Sequence, residues 1–254
     1  MKPWRLEELT YNDVRDMEFE AVVLPVGATE PHGLHLPYGC DAFHATKIAD
    51  RCCEAAYNMG AKIALLPTIP YGVNSNTMGY PLAGHVPQST LNLIVSDLVK
   101  TMARHGVHKF VIFNGHGGND FRPVVRDLFG ELEAFVCLVE WWRLSSDKAK
   151  DIFDKIGDHA DEVETSIALE LFDELVHMEH VGTGQVNPTK IDGLNKGYAW
   201  STRAWHLLTP DTGVGDPRAA TREKGQKLLE VIVERVGQFL KDLSDTPYSE
   251  TFPY

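Results

Sequence analysis

Only four cysteines, Cys40, Cys52, Cys53 and Cys137, occur in 254 residues. So few in a chain this long make no disulfide framework, and the adjacent Cys52 and Cys53 would face different ways on a helix. No apolar run approaches the ~20 residues that a membrane-spanning helix requires. The first residues, Met1-Lys2-Pro3-Trp4-Arg5-Leu6-Glu7-Glu8, lack the apolar stretch of a secretory signal. The cytoplasm is the expected location, with no membrane partner. Positive charge is scarce too: 24 Lys and Arg face 36 Asp and Glu, for a net charge of −12. No basic cluster of the kind a phosphate backbone needs is present, which argues against nucleic acid. Acidic excess by itself concerns solubility and leaves the substrate open. No repeat, low-complexity tract or linker interrupts the chain, so residues 1–254 read as a single domain.

Histidine, by contrast, is plentiful, with 11 residues. It is the commonest transition-metal ligand and titrates near neutrality. Two of its neighbourhoods stand out. Ala21-Val22-Val23-Leu24-Pro25-Val26 reads as a buried strand. It runs into Gly27-Ala28-Thr29-Glu30-Pro31-His32-Gly33-Leu34-His35-Leu36-Pro37-Tyr38-Gly39-Cys40-Asp41. Gly33, Pro37 and Gly39 forbid a regular helix there, so the stretch is a loop. Carboxylates and imidazoles crowded behind a core strand are a ligand set that Zn²⁺ or Mn²⁺ prefers, although a plain polar surface loop would read alike. The second is Asn114-Gly115-His116-Gly117-Gly118-Asn119, which follows the apolar strand Lys109–Phe113. Its glycines let the backbone turn closely around the imidazole. A third segment places His159, Glu162 and Glu164 just ahead of a helix.

Further strands are expected at 62–66 and 134–139, with helices at 42–59, 88–105, 121–132, 167–176 and 218–243. Strand alternating with helix predicts an α/β three-layer sandwich: a mainly parallel central sheet covered by helices on both faces. Sites in such sheets lie beyond the carboxyl ends of the strands, where both histidine loops fall. The long loop 67–84 is expected to form a site wall. The irregular segment 181–216 is expected to pack over the sheet edge or join a subunit contact.

In these motifs the chain resembles the creatininase family of metal-dependent amidohydrolases. The resemblance rests on Gly27-Ala28-Thr29-Glu30-Pro31-His32-Gly33 through Asp41 and on Asn114-Gly115-His116-Gly117-Gly118-Asn119. It continues in His159-Ala160 through Glu162-Val163-Glu164-Thr165-Ser166 and in Gly213-Val214-Gly215-Asp216-Pro217, leading to Ala220-Thr221-Arg222-Glu223-Lys224-Gly225. The resemblance implies a creatininase-like fold and two divalent metal ions per subunit, Zn before Mn or Fe. It also implies hydrolysis of a non-peptide C–N bond in a small cyclic amide or formamide, and a homo-oligomer, commonly a hexamer. By position, Glu30 and His116 would hold one metal and His32 the other, with Asp41 bridging. A shared, acidified water would attack the amide carbon. His159 would transfer the proton to the leaving nitrogen, and Asp158 would orient its ring or the substrate.

Departures from the family pattern also count. The enzyme that gives the family its name has a Tyr-Glu pair after the metal histidine, its Glu a ligand of the second metal; here Gly117 and Gly118 stand there. Glu164 is the expected substitute, with Glu162 behind it; either acid would also suit a helix N-terminus without any metal. Relatives often carry a Glu-His pair and then Phe-Pro-Gly-Thr where this chain has Asn76-Thr77 and Tyr80-Pro81-Leu82-Ala83. Trp141 and Trp142 line the pocket or pack in the core. His35 and His44 are expected to be structural or supporting. The rivals are a peptidase acting on a small peptide, a non-catalytic metal-binding scaffold, and a thiol hydrolase using Cys40, which would need a dedicated base.

Overall fold

The computed structural model describes all 254 residues, Met1–Tyr254. Four strands, β1 (Ala21–Val26), β2 (Ile63–Leu65), β3 (Lys109–Asn114) and β4 (Phe135–Glu140), pair in parallel in the order β2-β1-β3-β4. β1 is apolar on both faces because both are covered. Val22, Leu24 and Val26 join Phe110 and Ile112 on one side, while Ala21 and Val23 join Val111 and Phe113 on the other. The first side packs beneath helices α2 (Gln88–Arg104) and α3 (Arg122–Leu128). The second packs beneath α1 (Cys40–Asn58), α4 (Ser146–Ile152), α5 (Glu162–Leu171) and α6 (Arg222–Asp245). This is the three-layer α/β sandwich that the sequence predicts.

The chain leaves β1 toward β2 on one side and later returns across β1 to build β3 and β4 on the other. The connections therefore part between β1 and β3, where such sheets hold ligands. Val26 pairs with Asn114 and Asn114 with Glu140, so three strands end level. The loops carrying Glu30 and His116 emerge side by side.

Element boundaries shift where caps decide them. α5 starts five residues before the expected Ile167 because Asp161 accepts from Val163 N and Glu164 N at 3.0 Å each. α6 starts at Arg222, not 218, where the Thr221 side chain accepts from Lys224 N. α3 stops at Leu128, before a turn in which Gly130 has φ 81°. The short helices Trp141–Leu144 and α4 escaped the sequence reading. Cys52 and Cys53 both lie in the larger core, because α1 is enclosed between the sheet and α6.

Candidate active site

Loop backbone fixes the side chains of the site before they meet each other. Gly27 presses against the start of α1: a Cβ there would lie 2.5 Å from Ala42 N and Cα, so only glycine fits. That contact brings Asp41, in the first turn of α1, beside the Glu30–His32 loop. Asn119 ties the second loop in place by accepting from Val73 N at 2.9 Å and donating to Asn114 Oδ1 at 3.1 Å.

Three imidazoles are oriented alike. His32 Nδ1 donates to the Glu30 carbonyl at 3.1 Å, His116 Nε2 to the Val73 carbonyl at 3.2 Å, and His159 Nε2 to the Pro31 carbonyl at 2.9 Å. A carbonyl can only accept, so each ring has one nitrogen committed and the other free. The free nitrogens converge on carboxylates. His32 Nε2 lies 3.0 Å from Asp41 Oδ1, and His116 Nδ1 lies 2.7 Å from Asp41 Oδ2 and 3.4 Å from Glu30 Oε1. His159 Nδ1 is 3.9 Å from Glu30 Oε1. The second Glu30 oxygen accepts from Thr77 Oγ1 at 2.7 Å.

Two triads result, Glu30–Asp41–His116 and His32–Asp41–Glu164, each with its donor atoms within 4.8 Å of one another and with Asp41 common to both. A third group joins Glu30, His32 and His159. Glu164 belongs to the cluster and accepts from Ala160 N at 2.6 Å. Glu162 does not: its carboxylate turns to Lys224 Nζ at 2.5 Å and Lys155 N at 2.7 Å. Asp158 forms an ion pair with Arg203 at 2.8 Å, so its carboxylate faces the guanidinium, not the His159 ring.

These donors fit a divalent cation. Asp41 Oδ2 is buried, yet despite its short distance to His116 it makes no well-directed hydrogen bond. Burial alone would push the His32 and His116 pKa values down. Facing Asp41 and Glu30, they are instead held up, His32 at about 10 and His116 at about 9. Burial, with Asp41 and Asp161 nearby, raises Glu164 to about 8. His159 behaves oppositely: burial, then the charge of His32, lowers it to about 4 and keeps it neutral.

Over the cluster lies a cavity of about 500 Å³ lined mainly by polar residues. Val73, Ser75 and Asn76 of the long loop form one wall, as the sequence predicts. The adjoining wall was not legible: Trp200, Ser201, Arg203 and Trp205 come from the irregular segment expected at the sheet edge or a subunit contact. Trp205 stands edge-on to His159 with ring centres 4.6 Å apart, and its backbone N donates to the Asn76 carbonyl at 3.1 Å. A tryptophan and an arginine in a Gly- and Asn-rich stretch are the signal that could have found it.

The chain matches the family model Creatininase (creatinine amidohydrolase) over residues 7–240. The chain belongs to the creatininase family. It is 33% identical to a Bacteroides fragilis protein whose creatinine amidohydrolase name is provisional; the crystal structure of that protein covers 98% of this chain and 100% of its own at a TM-score of 0.91. It is 27% identical to creatinine amidohydrolase of Pseudomonas putida, across 87% of this chain and 88% of that one. It is 25% identical to 3-dehydro-scyllo-inosose hydrolase of Thermotoga maritima, across 94% and 83%. Mycofactocin precursor peptide peptidase of Mycolicibacterium smegmatis is 25% identical across 87% and 84%. Solved creatininases include a manganese form at TM-score 0.79 and a Zn–Zn form at 0.77, covering 95% and 96% of this chain and 99% and 100% of their own at 22% and 23% identity; these share the fold. As a member of this family the protein is a metal-dependent hydrolase of C–N bonds.

The other candidates fall away from the cluster. His35 bonds Thr165 Oγ1 at 2.8 Å, and His44 packs between Trp141 and Phe172. Burial raises the Cys40 thiol well above its usual value, with Glu164 and Asp41 adding to the effect, so a thiolate nucleophile is disfavoured. Trp141 is a core residue, and with Trp142 it also lines a smaller cavity of about 280 Å³.

Proposed function

We propose that this single-domain protein opens a small cyclic amide or cleaves a formamide at a non-peptide C–N bond, with two divalent ions, zinc before manganese. Glu30 and His116 would hold one ion, and His32 and Glu164 the other, with Asp41 available to both. The observation that carries this reading is the sharing of Asp41 by both triads. Bound ions would supply Lewis acidity, polarising the amide carbonyl and acidifying water toward neutral pH.

The chain's own residues do the rest. Thr77 fixes Glu30, and the three backbone carbonyls fix the imidazole tautomers. His159 is neutral with Nδ1 free, so it accepts the proton of the attacking water as the new C–O bond forms. The resulting imidazolium passes that proton to the leaving nitrogen as the C–N bond breaks. Trp205 packs against His159 and keeps water from that side of the ring. Asp158 holds Arg203 on the cavity wall.

Peptide cleavage, the activity named for the mycobacterial relative, is the second reading. A cavity of about 500 Å³ is of a size for a small molecule and favours it over a peptide chain. Exposed Ile191, Tyr198, Trp200 and Leu207 on the 181–216 segment support a homo-oligomer, hexameric by family likeness.

Metal content per subunit, measured on protein purified without chelator or tag metal, is the test, together with hydrolysis of a panel of cyclic amides and formamides. Near two equivalents and turnover of one class is the expected result. No metal, unrestored by adding zinc or manganese, would overturn the reading.

A further inference from the structure

Arg203 is the only lysine or arginine lining the main cavity, and three contacts fix it there. Its backbone N donates to Asn76 Oδ1 at 2.8 Å, its Nη2 to Asp158 Oδ2 at 2.8 Å, and its guanidinium sits 5.2 Å from the centre of the Trp205 ring. Trp205 contacts His159, whose ring centre is 4.1 Å from that of His32, so the guanidinium and the carboxylate–imidazole cluster lie within reach of one small molecule. Two arginines that fasten this fold use their forks fully. Arg218 binds Asp216 through Nε and Nη2, and Arg235 binds Asp147 through both terminal nitrogens. Arg203 gives Asp158 one nitrogen, and its side chain remains 43% exposed. A guanidinium held in place with unused donors is a preformed anion receptor.

We propose that Arg203 selects substrates carrying a carboxylate, which it holds through the N–H groups Asp158 leaves free while the scissile amide lies at the Glu30–Asp41–His116 cluster. The inference rests on the amidohydrolase reading above and narrows its substrates to small cyclic amides bearing one carboxylate. A phosphate dianion fits less well. The one guanidinium is already partly neutralised by Asp158, and Asp120 on the same cavity adds negative charge.

The test uses matched rings with and without a carboxylate: dihydroorotate and dihydrouracil, hydantoin-5-acetate and hydantoin, 5-oxoproline and 2-pyrrolidinone. Each is titrated calorimetrically into the full-length, metal-loaded protein. At least one acid should bind roughly 10- to 100-fold more tightly than its neutral partner. Arg203→Met should bring that ratio to near one, and Arg203→Lys should retain part of it. No acid preference in the wild type would overturn the proposal. So would a preference that survives Arg203→Met, which would place the carboxylate on the metals, or equal weakening of both partners, which would leave Arg203 a wall residue only. The readout is binding, so the reaction is judged separately. A protein that discriminates through Arg203 but hydrolyses no cyclic amide or formamide would refute the amidohydrolase reading and keep the anion site.

Discussion

At the start of β3, the Lys109 ammonium is fully buried and donates to the carbonyls of Leu243, Ser244 and Thr246 at 2.8, 3.3 and 2.9 Å, with Glu20 at 3.2 Å. Those carbonyls end α6, where a helix leaves its acceptors free and its dipole negative. At the far end of the same strand, Asp41 and Glu30 crowd against His116, and a buried Asp41 oxygen lacks a well-directed partner. One end answers a buried charge with protein donors and acceptors. The other concentrates charge and leaves donor atoms free. Burial alone therefore does not mark a functional group; burial with uncommitted atoms does.

The largest effect expected from this contrast is at Asp41. Asp41→Ala removes the carboxylate common to both triads, so bound metal should fall to near zero and activity by more than ~10³-fold, as for a group acting in the transition state. Elemental analysis beside a turnover assay checks both. Full metal content in the variant would break the comparison at its functional end.

Lys109→Met should act oppositely. It strands the α6 carbonyls and removes the Glu20 partner, costing about 3 kcal/mol of stability in denaturant unfolding. Metal content in the folded fraction should not change. If metal were lost in parallel, the two ends of β3 would be coupled and the distinction artificial.

Glu164 and Glu162 repeat the contrast within one helical turn. Glu164→Gln should weaken metal binding roughly 10- to 100-fold, by analogy with the loss of groups that support metal ligands. Glu162→Gln breaks the Lys224 pair and should cost about 1–3 kcal/mol of stability while sparing the metal. Competition with a chromogenic chelator separates the two.

The strands, their parallel pairing and the loops bearing Glu30, His32, Asp41 and His116 were legible because apolar runs ending in Gly-rich turns have few alternative readings. The choice between Glu162 and Glu164 was not. Both are N-terminal acids of one helix, and which faces the cluster depends on the Asp161 cap and on Lys224, 62 residues away. Nor was Gly118. A Cβ there would lie 2.4 Å from His116 Nε2 and from the Val73 carbonyl, so glycine is required by the contact that orients the histidine. Gly117, beside it, has open space at that position. The outer wall stayed hidden because Arg203 and Trp205 reach the cavity through Asn76, a contact between loops with no periodic pattern to announce it.

The last expectation is the pH dependence of the chelated protein. His32 and His116 have folded pKa values raised to about 10 and 9, above the unfolded histidine value. Their contribution is complete below about pH 6.5 and is lost as pH rises through 9 to 10. Glu164, raised to about 8, loses its own contribution over part of the same range. Asp41, lowered, and His159, lowered to about 4, act in acid and leave this window alone. The melting temperature of the chelated protein should therefore fall between pH 7 and 10. Loading with zinc displaces the same protons, so the slope should flatten and binding near pH 7.5 should release protons in calorimetry across buffers of different ionisation enthalpy. A chelated protein with no slope, or zinc binding without proton release, would mean that the cluster does not hold protons where cations are proposed to sit. Asp41 would then differ from Lys109 only in position.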